Sequence, residues 1–175
     1  MSCLTRLERG TAREKRIFYT ALAVALLVLL VDQATKWFFV CNFKLHETVE
    51  IIPGIFNFTS VRNIGAAWSM LSGHVWLLLG FGLLAGAGII VFFRKLAENC
   101  PERYWALLLV LSGIAGNSFD RAFHGCVVDF IHIHYYNEWH YPVFNVADMA
   151  ICIGVGMYVL SGLLRKSPEN EGKSC

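Results

Sequence analysis

Four long apolar runs divide the chain, each close to the ~20 residues that a helix needs to cross a bilayer. They cover residues 17–40, 75–93, 104–121 and 144–164. The first is too long for the apolar part of a cleavable signal peptide, and no small-residue cleavage site follows it. The pattern predicts one integral-membrane domain over residues 1–175, an all-α bundle of four transmembrane helices.

Two of the connecting segments have the composition of strands rather than of bland linkers. Residues 49–60 place β-branched and aromatic residues on both sides of a Pro-Gly turn. Residues 127–136 are also rich in β-branched and aromatic residues. Such runs around turn residues are typical of strands, so we expect a small β element on the outer, periplasmic face of the bundle.

The basic residues give the bundle an orientation. Residues 1–16, 94–103 and 165–175 carry five, three and three of the fifteen Lys and Arg residues. The other four are Lys36, Lys44, Arg62 and Arg121. Because cytoplasmic segments are enriched in Lys and Arg, the pattern predicts that the tails 1–16 and 165–175 are cytoplasmic and that the two β-rich segments face outward.

Composition agrees with a membrane protein and excludes some alternatives. Hydrophobic residues make up 56% of the chain, against about 45–50% in ordinary soluble domains. The net charge of +2 gives no reason to expect a nucleic-acid partner. Six cysteines occur without a CxxC pair, so a disulfide framework is not expected. A single bridge between Cys41 and Cys126 outside the membrane stays open as an alternative.

Polar residues whose burial in a membrane costs free energy recur at one predicted depth in the bilayer. At 1.5 Å rise per residue, Asp32 lies about 23 Å along the first helix and Asn117 about 20 Å along the third. Asp148 lies about 6 Å into the fourth helix, which runs in the opposite direction. A carboxylate inside a span is a functional candidate by default because its burial is expensive. The three helices therefore bring polar side chains to the same outer third of the membrane.

Spacing predicts which of these residues face each other. Asp32 and Lys36 are four residues apart, so they share a helix face and are expected to pair. Asn117 has the same relation to Asp120 or Arg121, at three or four residues.

Each candidate also has a simpler interpretation. Asn145 and Asp148 could be no more than a helix cap, since Asn is favoured at the N-cap and an acid is stabilised in the first turn. Asp129 alone could be a solvated loop acid. Lys36 and Arg121 could extend to the headgroup layer.

Other catalytic groups have weaker support. His132 and His134 share a strand face, with His124 and His140 nearby, but the HExxH pattern of zinc peptidases is absent. The Ser-x-x-Lys and Gly-x-Ser-x-Gly patterns are also absent. We therefore expect neither a metal site nor a cofactor, and interpret the histidines as surface residues.

Five short motifs together resemble the bacterial type II signal peptidases, the aspartyl enzymes that process prolipoproteins. The family patterns D-Q-x-[ST]-K, N-x-G-A-[AS]-F, G-G-x-x-G-N-x-x-D-R, V-V-D-F and F-N-x-A-D are matched at residues 32–36, 63–68, 112–121, 127–130 and 144–148. Two positions differ: Trp68 stands where Phe is usual, and Ser112 replaces the first glycine. The resemblance covers residues 17–164.

The resemblance implies a site and a substrate. It implies that Asp129 and Asp148 are the catalytic pair and that eight residues support the site or contact substrate. Those eight are Asp32, Lys36, Asn63, Gly65, Asn117, Asp120, Arg121 and Asn145. The implied substrate is a prolipoprotein whose cysteine already carries diacylglycerol, cleaved just before that cysteine. The expected enzyme works as a monomer among lipids of the bacterial inner membrane, with its active site toward the periplasm.

Two nearby carboxylates suit this chemistry because they cannot easily both ionise, so that they share a proton. Asp148, in the first turn of a helix, is expected to be the base, and Asp129 the acid. Trp68 and the β element would then hold the substrate peptide by strand pairing. The alternative is a small proton- or ion-coupled transporter, since intramembrane charges also mark ion paths.

Overall fold

The computed structural model describes residues 12–65, 70–136 and 138–165. Within these ranges the chain forms four helices and four strands. In chain order they are α1 (Ala12–Asn42), β1 (Thr48–Ile52), β2 (Phe56–Asn63), α2 (Val75–Ala97), α3 (Pro101–His124), β3 (Val127–Tyr135), β4 (Trp139–His140) and α4 (Val146–Leu164). The predicted strands around residues 49–60 and 127–136 are confirmed.

Helix α3 lies at the centre of the bundle and packs against α1, α2 and α4. It buries polar residues together with its apolar ones, including Arg103, Ser112 and Asn117. In the described part of the chain, only α1, α2 and α4 are both long and apolar enough to qualify as membrane spans. The sequence of α3 is less apolar because most of its surface faces protein, where a polar side chain can find a partner.

The outer helices show the opposite pattern, with large apolar side chains on their exposed faces. Leu30 of α1, Leu84 of α2 and Leu163 of α4 are each more than 60% exposed. An aqueous surface does not favour so many exposed apolar side chains. These faces are suited to lipid, which agrees with three membrane-spanning helices.

Glycines allow the helices to approach closely where polar groups must meet. A Cβ atom at Gly116 would lie 2.5 Å from the Asp32 carboxylate, and one at Gly154 would lie 2.6 Å from the Ala106 carbonyl. In α2, a Cβ at Gly82 would lie 2.9 Å from the Ser118 hydroxyl of α3. Small residues at these points bring α1 and α4 against α3.

The four strands form one antiparallel sheet in the order β1-β2-β3-β4. The ring of Phe39, near the end of α1, stacks on Phe130 of β3 at 4.3 Å and contacts Phe58 of β2 at 5.2 Å. Phe39 and Phe130 are both buried. This aromatic cluster fixes the sheet to one end of the bundle.

A short link joins α3 to β3. Helix α3 ends at His124 and is capped by Gly125, whose φ of 66° is the left-handed conformation that glycine adopts most readily. Strand β3 begins at Val127, two residues after this glycine. The link therefore brings Val128 and Asp129 back over the last turns of α3, beside Asn117 and Asp120.

Candidate active site

One lysine joins the polar residues of α1 and α3. The Lys36 ammonium lies 2.8 Å from Asp32 Oδ2 and 3.0 Å from Asp120 Oδ2, and it donates to Asn117 Oδ1 at 3.0 Å. Lys36, Asp32 and Asp120 are all at least 97% buried. The predicted pair of Asp32 and Lys36 is confirmed. The alternative in which Lys36 extends to the headgroups is wrong, because its charge is compensated inside the protein.

The two carboxylates paired with Lys36 also bind neighbouring elements. Asp32 Oδ1 accepts from the backbone N–H of Ala147 in α4 at 2.8 Å. Asp120 Oδ2 accepts from the backbone N–H of Val128 in β3 at 3.2 Å. Each carboxylate therefore holds an element that carries a candidate catalytic aspartate. Buried carboxylates are tolerated where such donors and a cation meet them.

Gln33 is a member of this cluster that the sequence analysis did not select. Its side-chain amide donates to Asp32 Oδ2 at 3.1 Å and to Asp120 Oδ1 at 3.2 Å. It also lies within 3.4 Å of the Gly116 carbonyl. The available signal was its position in the Asp32–Lys36 motif, but an uncharged residue next to Asp32 was not expected to share its helix face.

Two asparagines extend the network to Asp129 and Asp148. The Asn117 amide group donates to Asp148 Oδ1 at 2.7 Å. Asn117 Oδ1 accepts from Lys36 and from the Asn145 amide group at 3.1 Å. The lysine thus fixes which way the Asn117 amide points, and the N–H side is left for Asp148.

Asn145 contacts both candidate catalytic carboxylates. Its amide group donates to Asp129 Oδ1 at 2.6 Å, and its backbone N–H donates to Asp148 Oδ2 at 3.2 Å. Asn145 Oδ1 accepts from the backbone N–H of Asp148 at 2.9 Å, which completes a capping box at the start of α4. The capping interpretation is therefore correct, but it is incomplete, because the same residue also connects the two aspartates.

Asp129 is buried in a setting that favours its neutral form. It is 1% exposed, and Asn63 donates to its Oδ2 at 2.9 Å. Burial and the nearby Asp148 charge raise its pKa to about 7, although the asparagine donors act in the opposite direction. The interpretation of Asp129 as a solvated loop acid is wrong.

A cleft of about 190 Å³ opens beside the two aspartates. It is lined by Asn63, Asn117, Arg121, Val127, Asp129, Tyr141, Pro142, Val143, Phe144, Asp148, Ile151 and Cys152. Arg121 is half-buried here and donates to the Gly65 carbonyl at 3.3 Å. Gly65 N–H in turn donates to Asn63 Oδ1 at 2.9 Å, so the loop after β2 is held at the edge of the cleft.

The structure thus brings together all ten residues that the sequence analysis selected, through side-chain or backbone contacts. Residues 66–69 lie outside the described residues. They include Trp68, so the predicted contact of Trp68 with the substrate peptide stays a prediction. Cys41 and Cys126 are free thiols. His132, His134 and His140 lie together on β3 and β4, and none of them lines the cleft beside the aspartates.

Comparisons with known proteins identify relatives of this chain. A family model for signal peptidase (SPase) II matches residues 24–164. The lipoprotein signal peptidase of Actinobacillus succinogenes is 39% identical over 151 residues, which cover 84% of this chain and 91% of that protein. The lipoprotein signal peptidase of Bacillus pumilus is 40% identical over 148 residues, which cover 85% and 95% of the two chains.

Solved structures share the fold. A bacterial membrane enzyme determined by the in meso method at 2.3 Å resolution aligns with a TM-score of 0.78 and 33% identity, over 89% of this chain and 94% of that one. The transporter alternative finds no support among these relatives. The chain therefore belongs to the lipoprotein signal peptidase (signal peptidase II) family, membrane-embedded aspartic peptidases that act on prolipoproteins.

Proposed function

We propose that Asp129 and Asp148 cleave diacylglyceryl-modified prolipoproteins just before the lipid-bearing cysteine. The observation that carries this assignment is the position of Asn145, which donates to both carboxylates at the edge of one cleft. A pair of carboxyl groups that share a proton can supply both an acid and a base without a metal.

The two aspartates take different roles. Asp148 is ionised and removes a proton from a water molecule, whose oxygen attacks the scissile carbonyl carbon. Asp129 is protonated and donates to the carbonyl oxygen as negative charge develops there. The pKa of about 7 for Asp129 supports its role as the acid at neutral pH.

The scissile C–N bond then breaks. The tetrahedral intermediate carries two oxygens on the former carbonyl carbon. The C–N bond cleaves as Asp148 passes the proton that it took to the leaving amine of the cysteine. Asp129 recovers its proton when the new carboxylic acid group forms. No covalent enzyme intermediate is required.

The remaining selected residues hold this pair in place. Asn63 and Asn145 orient Asp129, and Asn117 orients Asp148. Lys36, Asp32 and Asp120 orient Asn117 and tie α4 and β3 to the bundle. Arg121 and Gly65 form the outer edge of the cleft, where the peptide would enter.

We assign four spans to the domain of residues 1–175, near 17–40, 75–93, 104–121 and 144–164, with α3 as the span enclosed by the others. The distribution of Lys and Arg supports cytoplasmic termini and a sheet on the periplasmic side of the inner membrane. The exposed apolar faces of α1, α2 and α4 are assigned to lipid contact, and the working unit is a monomer.

Cleavage of a synthetic precursor by the purified protein in detergent tests the assignment. The precursor with a diacylglyceryl cysteine should be cut before that cysteine, whereas the same peptide without the lipid should not. Asp129→Asn and Asp148→Asn should each reduce the rate at least a thousandfold, within the range of acid-base catalysis. Glu47→Gln, which changes an exposed carboxylate just before β1, is the matched control. Activity within tenfold of wild type in either folded aspartate variant would refute the assignment.

Topology has its own test. A reporter fused after Lys166 should report the cytoplasm, and one inserted beside Glu138 should report the periplasm. A C-terminus outside the cell would place the two aspartates on the side where exported precursors do not arrive.

A further inference from the structure

Three histidine rings meet on one face of the β3–β4 hairpin. His132 and His134 are two residues apart in β3, and His140 of β4 pairs with His134 in the strand register. The ring centroids are 5.2 Å (His132–His134), 5.3 Å (His132–His140) and 5.6 Å (His134–His140) apart. We call these three residues the histidine cluster. The proposed chemistry does not use them.

The hydrogen bonds of the cluster fit uncharged rings. His140 Nδ1 lies 3.3 Å from His132 Nε2, a contact that one shared N–H can make. His134 Nδ1 lies 3.1 Å from the Tyr136 carbonyl, which requires that this nitrogen carry the proton. His134 is 92% buried, and its Nε2 has no hydrogen-bond partner among the described residues. A second proton on His134 would therefore be buried without an acceptor.

The opposite face of β4 forms the wall of a second cleft. Trp139 and Tyr141 flank His140 and point to the other side of the strand, as alternation requires. They line an apolar cleft of about 320 Å³ together with Ile133, Phe144, Asp148, Met149 and Cys152. Tyr141, Phe144, Asp148 and Cys152 also line the cleft beside the aspartates. The wall carried by β4 is thus continuous with the site.

Strand β4 is short. It is two residues long, and its backbone pairs with β3 at His134 and Tyr135. Beyond it, the Tyr141 N–H donates to the Ile133 carbonyl at 2.9 Å, and the Tyr141 ring contacts the rings of Trp139 and Phe144. On the other face of the strand, the contacts between the histidine rings add to this attachment.

We infer that the histidine cluster is a proton-sensitive set of positioning residues for the substrate cleft. Neutral rings hold β4 against β3 and keep Trp139 and Tyr141 in place beside Asp148. Protonated rings repel one another and displace β4, which opens the wall and weakens substrate binding. This inference rests on the proposed function of Asp148.

Two acids of the described residues lie near the histidine cluster in the sheet. On β2, Asn57 lies opposite His132, and on β1, Glu50 lies opposite Asn57 in the same row. The Glu50 carboxylate accepts from the Gly54 N–H. Glu138 lies in the β3–β4 turn, where its backbone N–H donates to the Tyr135 carbonyl at 3.1 Å.

The direction of the pH effect follows from this environment. Burial, followed by the charges of His134 and His140, lowers the pKa of His132 below its ordinary value of 6.5. A lowered pKa means that the closed hairpin binds protons less readily than the open one. The closed wall is therefore fully favoured above pH 6.5 and loses stability as pH falls below that value.

Two measurements test the inference, and the first does not depend on cleavage. In a variant whose other five cysteines are serine, Cys152 reports on the wall because it lines both clefts. The ratio of its maleimide labelling rate to the rate in the same variant with His140→Phe should rise about tenfold when pH falls from 7.5 to 5.5. This ratio cancels the pH dependence of thiol ionisation, since both proteins carry the same thiol. Phe keeps an aromatic ring at residue 140 but cannot be protonated.

The second measurement uses the substrate. The KM of wild type for the lipid-modified precursor should rise about tenfold over the same pH range relative to His140→Phe, while the kcat ratio of the two proteins stays within twofold. His132→Gln should behave as His140→Phe does, and His74→Asn, a change outside the cluster, should behave as wild type. A role in packing alone would change KM equally at both pH values.

The outcomes are separable. Equal pH dependence in wild type, His140→Phe and His132→Gln overturns the inference. A change in labelling or KM on adding Zn²⁺, abolished by His140→Phe, would replace it with a metal site. Absence of cleavage by wild type at pH 7.5, with the pH-dependent labelling intact, would refute the proposed function and leave the movement of the wall standing.

Discussion

Charged side chains gather at both ends of the helix bundle, but only at one end are both the acids and the cation removed from water. At the end away from the sheet, Arg103 pairs with Glu98 and Arg165 pairs with Glu102, each at 2.6 Å. Arg103 is buried there, but its partner keeps its contact with water, with 63% of the Glu98 side chain accessible, and both members of the second pair are partly accessible. At the sheet end, Lys36, Asp32 and Asp120 are almost completely buried.

The difference in burial between the two ends indicates that their charges have different roles. An exposed pair keeps most of its hydration and changes stability little. A buried set loses its hydration. Replacing such a set by apolar residues of similar volume often leaves the protein at least as stable. The buried charges at the sheet end are thus poorly explained by stability alone. They contact Asn117, α4 and β3, and we propose that they hold these groups around the two aspartates.

The largest expected effect is the loss of the central cation. Lys36→Gln leaves Asp32 and Asp120 without a cation, and removal of one partner from a buried ion pair costs about 3–5 kcal/mol. Thermal and denaturant unfolding in detergent measure this loss. Lys44→Gln, at an exposed lysine of the loop after α1, is the control and should leave the stability unchanged.

A compensated variant sharpens this test. Because Lys36 contacts both carboxylates, Asp32→Asn combined with Lys36→Gln still leaves Asp120 as an uncompensated charge. The triple variant that adds Asp120→Asn removes all three charges, and it should be more stable than Lys36→Gln alone. A triple variant with the summed instability of the single changes would show that the groups do not couple.

The second effect is a dependence on pH. Because the pKa of Asp129 is raised from 3.8 to about 7, its neutral form favours the folded state. That stability is fully present below pH 3.8 and is lost as pH rises through about 7, by up to about 4 kcal/mol in total. Melting temperatures between pH 5 and pH 8.5 should fall in wild type and fall less in Asp129→Asn.

The same titration should appear in catalysis. If Asp129 acts as the acid, the cleavage rate falls as pH rises above about 7, by roughly tenfold per unit once Asp129 is mostly ionised. The transition belongs to the aspartate pair rather than to Asp129 alone. A rate that continues to rise up to pH 9 would contradict the assigned role.

The third effect separates the two roles of Asn145. Asn145→Ser keeps a side-chain oxygen that can cap α4, but it lacks the amide group that donates to Asp129. It should therefore lose about a hundredfold in cleavage rate, comparable to the loss of one preorganised donor, while it keeps the cap of α4. Asn145→Ala should lose the same activity and should be about 1 kcal/mol less stable than Asn145→Ser, because it also loses the cap. Equal activity in Asn145→Ser and wild type would reduce this residue to a helix cap.

The sequence predicts the local features of the site better than it predicts the contacts between distant segments. Apolar runs and i,i+4 spacing predict the helices and the pairing of Asp32 with Lys36, because both depend on local periodicity. The burial of Asp129 is not predictable in this way, since it depends on β3 folding back over α3. The contacts of Gln33 with Asp32 and Asp120 likewise require the distance between α1 and α3, which the glycine at residue 116 allows.

The smallest expected effect lies at the exposed end. Glu98→Gln removes the partner of the Arg103 guanidinium, which keeps its contacts with Ser161 and the Leu96 carbonyl and its position over the Tyr158 ring. Because Glu98 is mostly hydrated, the change should cost about 1 kcal/mol or less, and the wild-type pair should weaken as salt is added. Unfolding of both proteins at low and high salt, with the cleavage rate as a second readout, measures this. A loss as large as that of Lys36→Gln, or any loss of activity in the folded variant, would mean that charge at this end also supports the site, and the contrast between the two ends would fail.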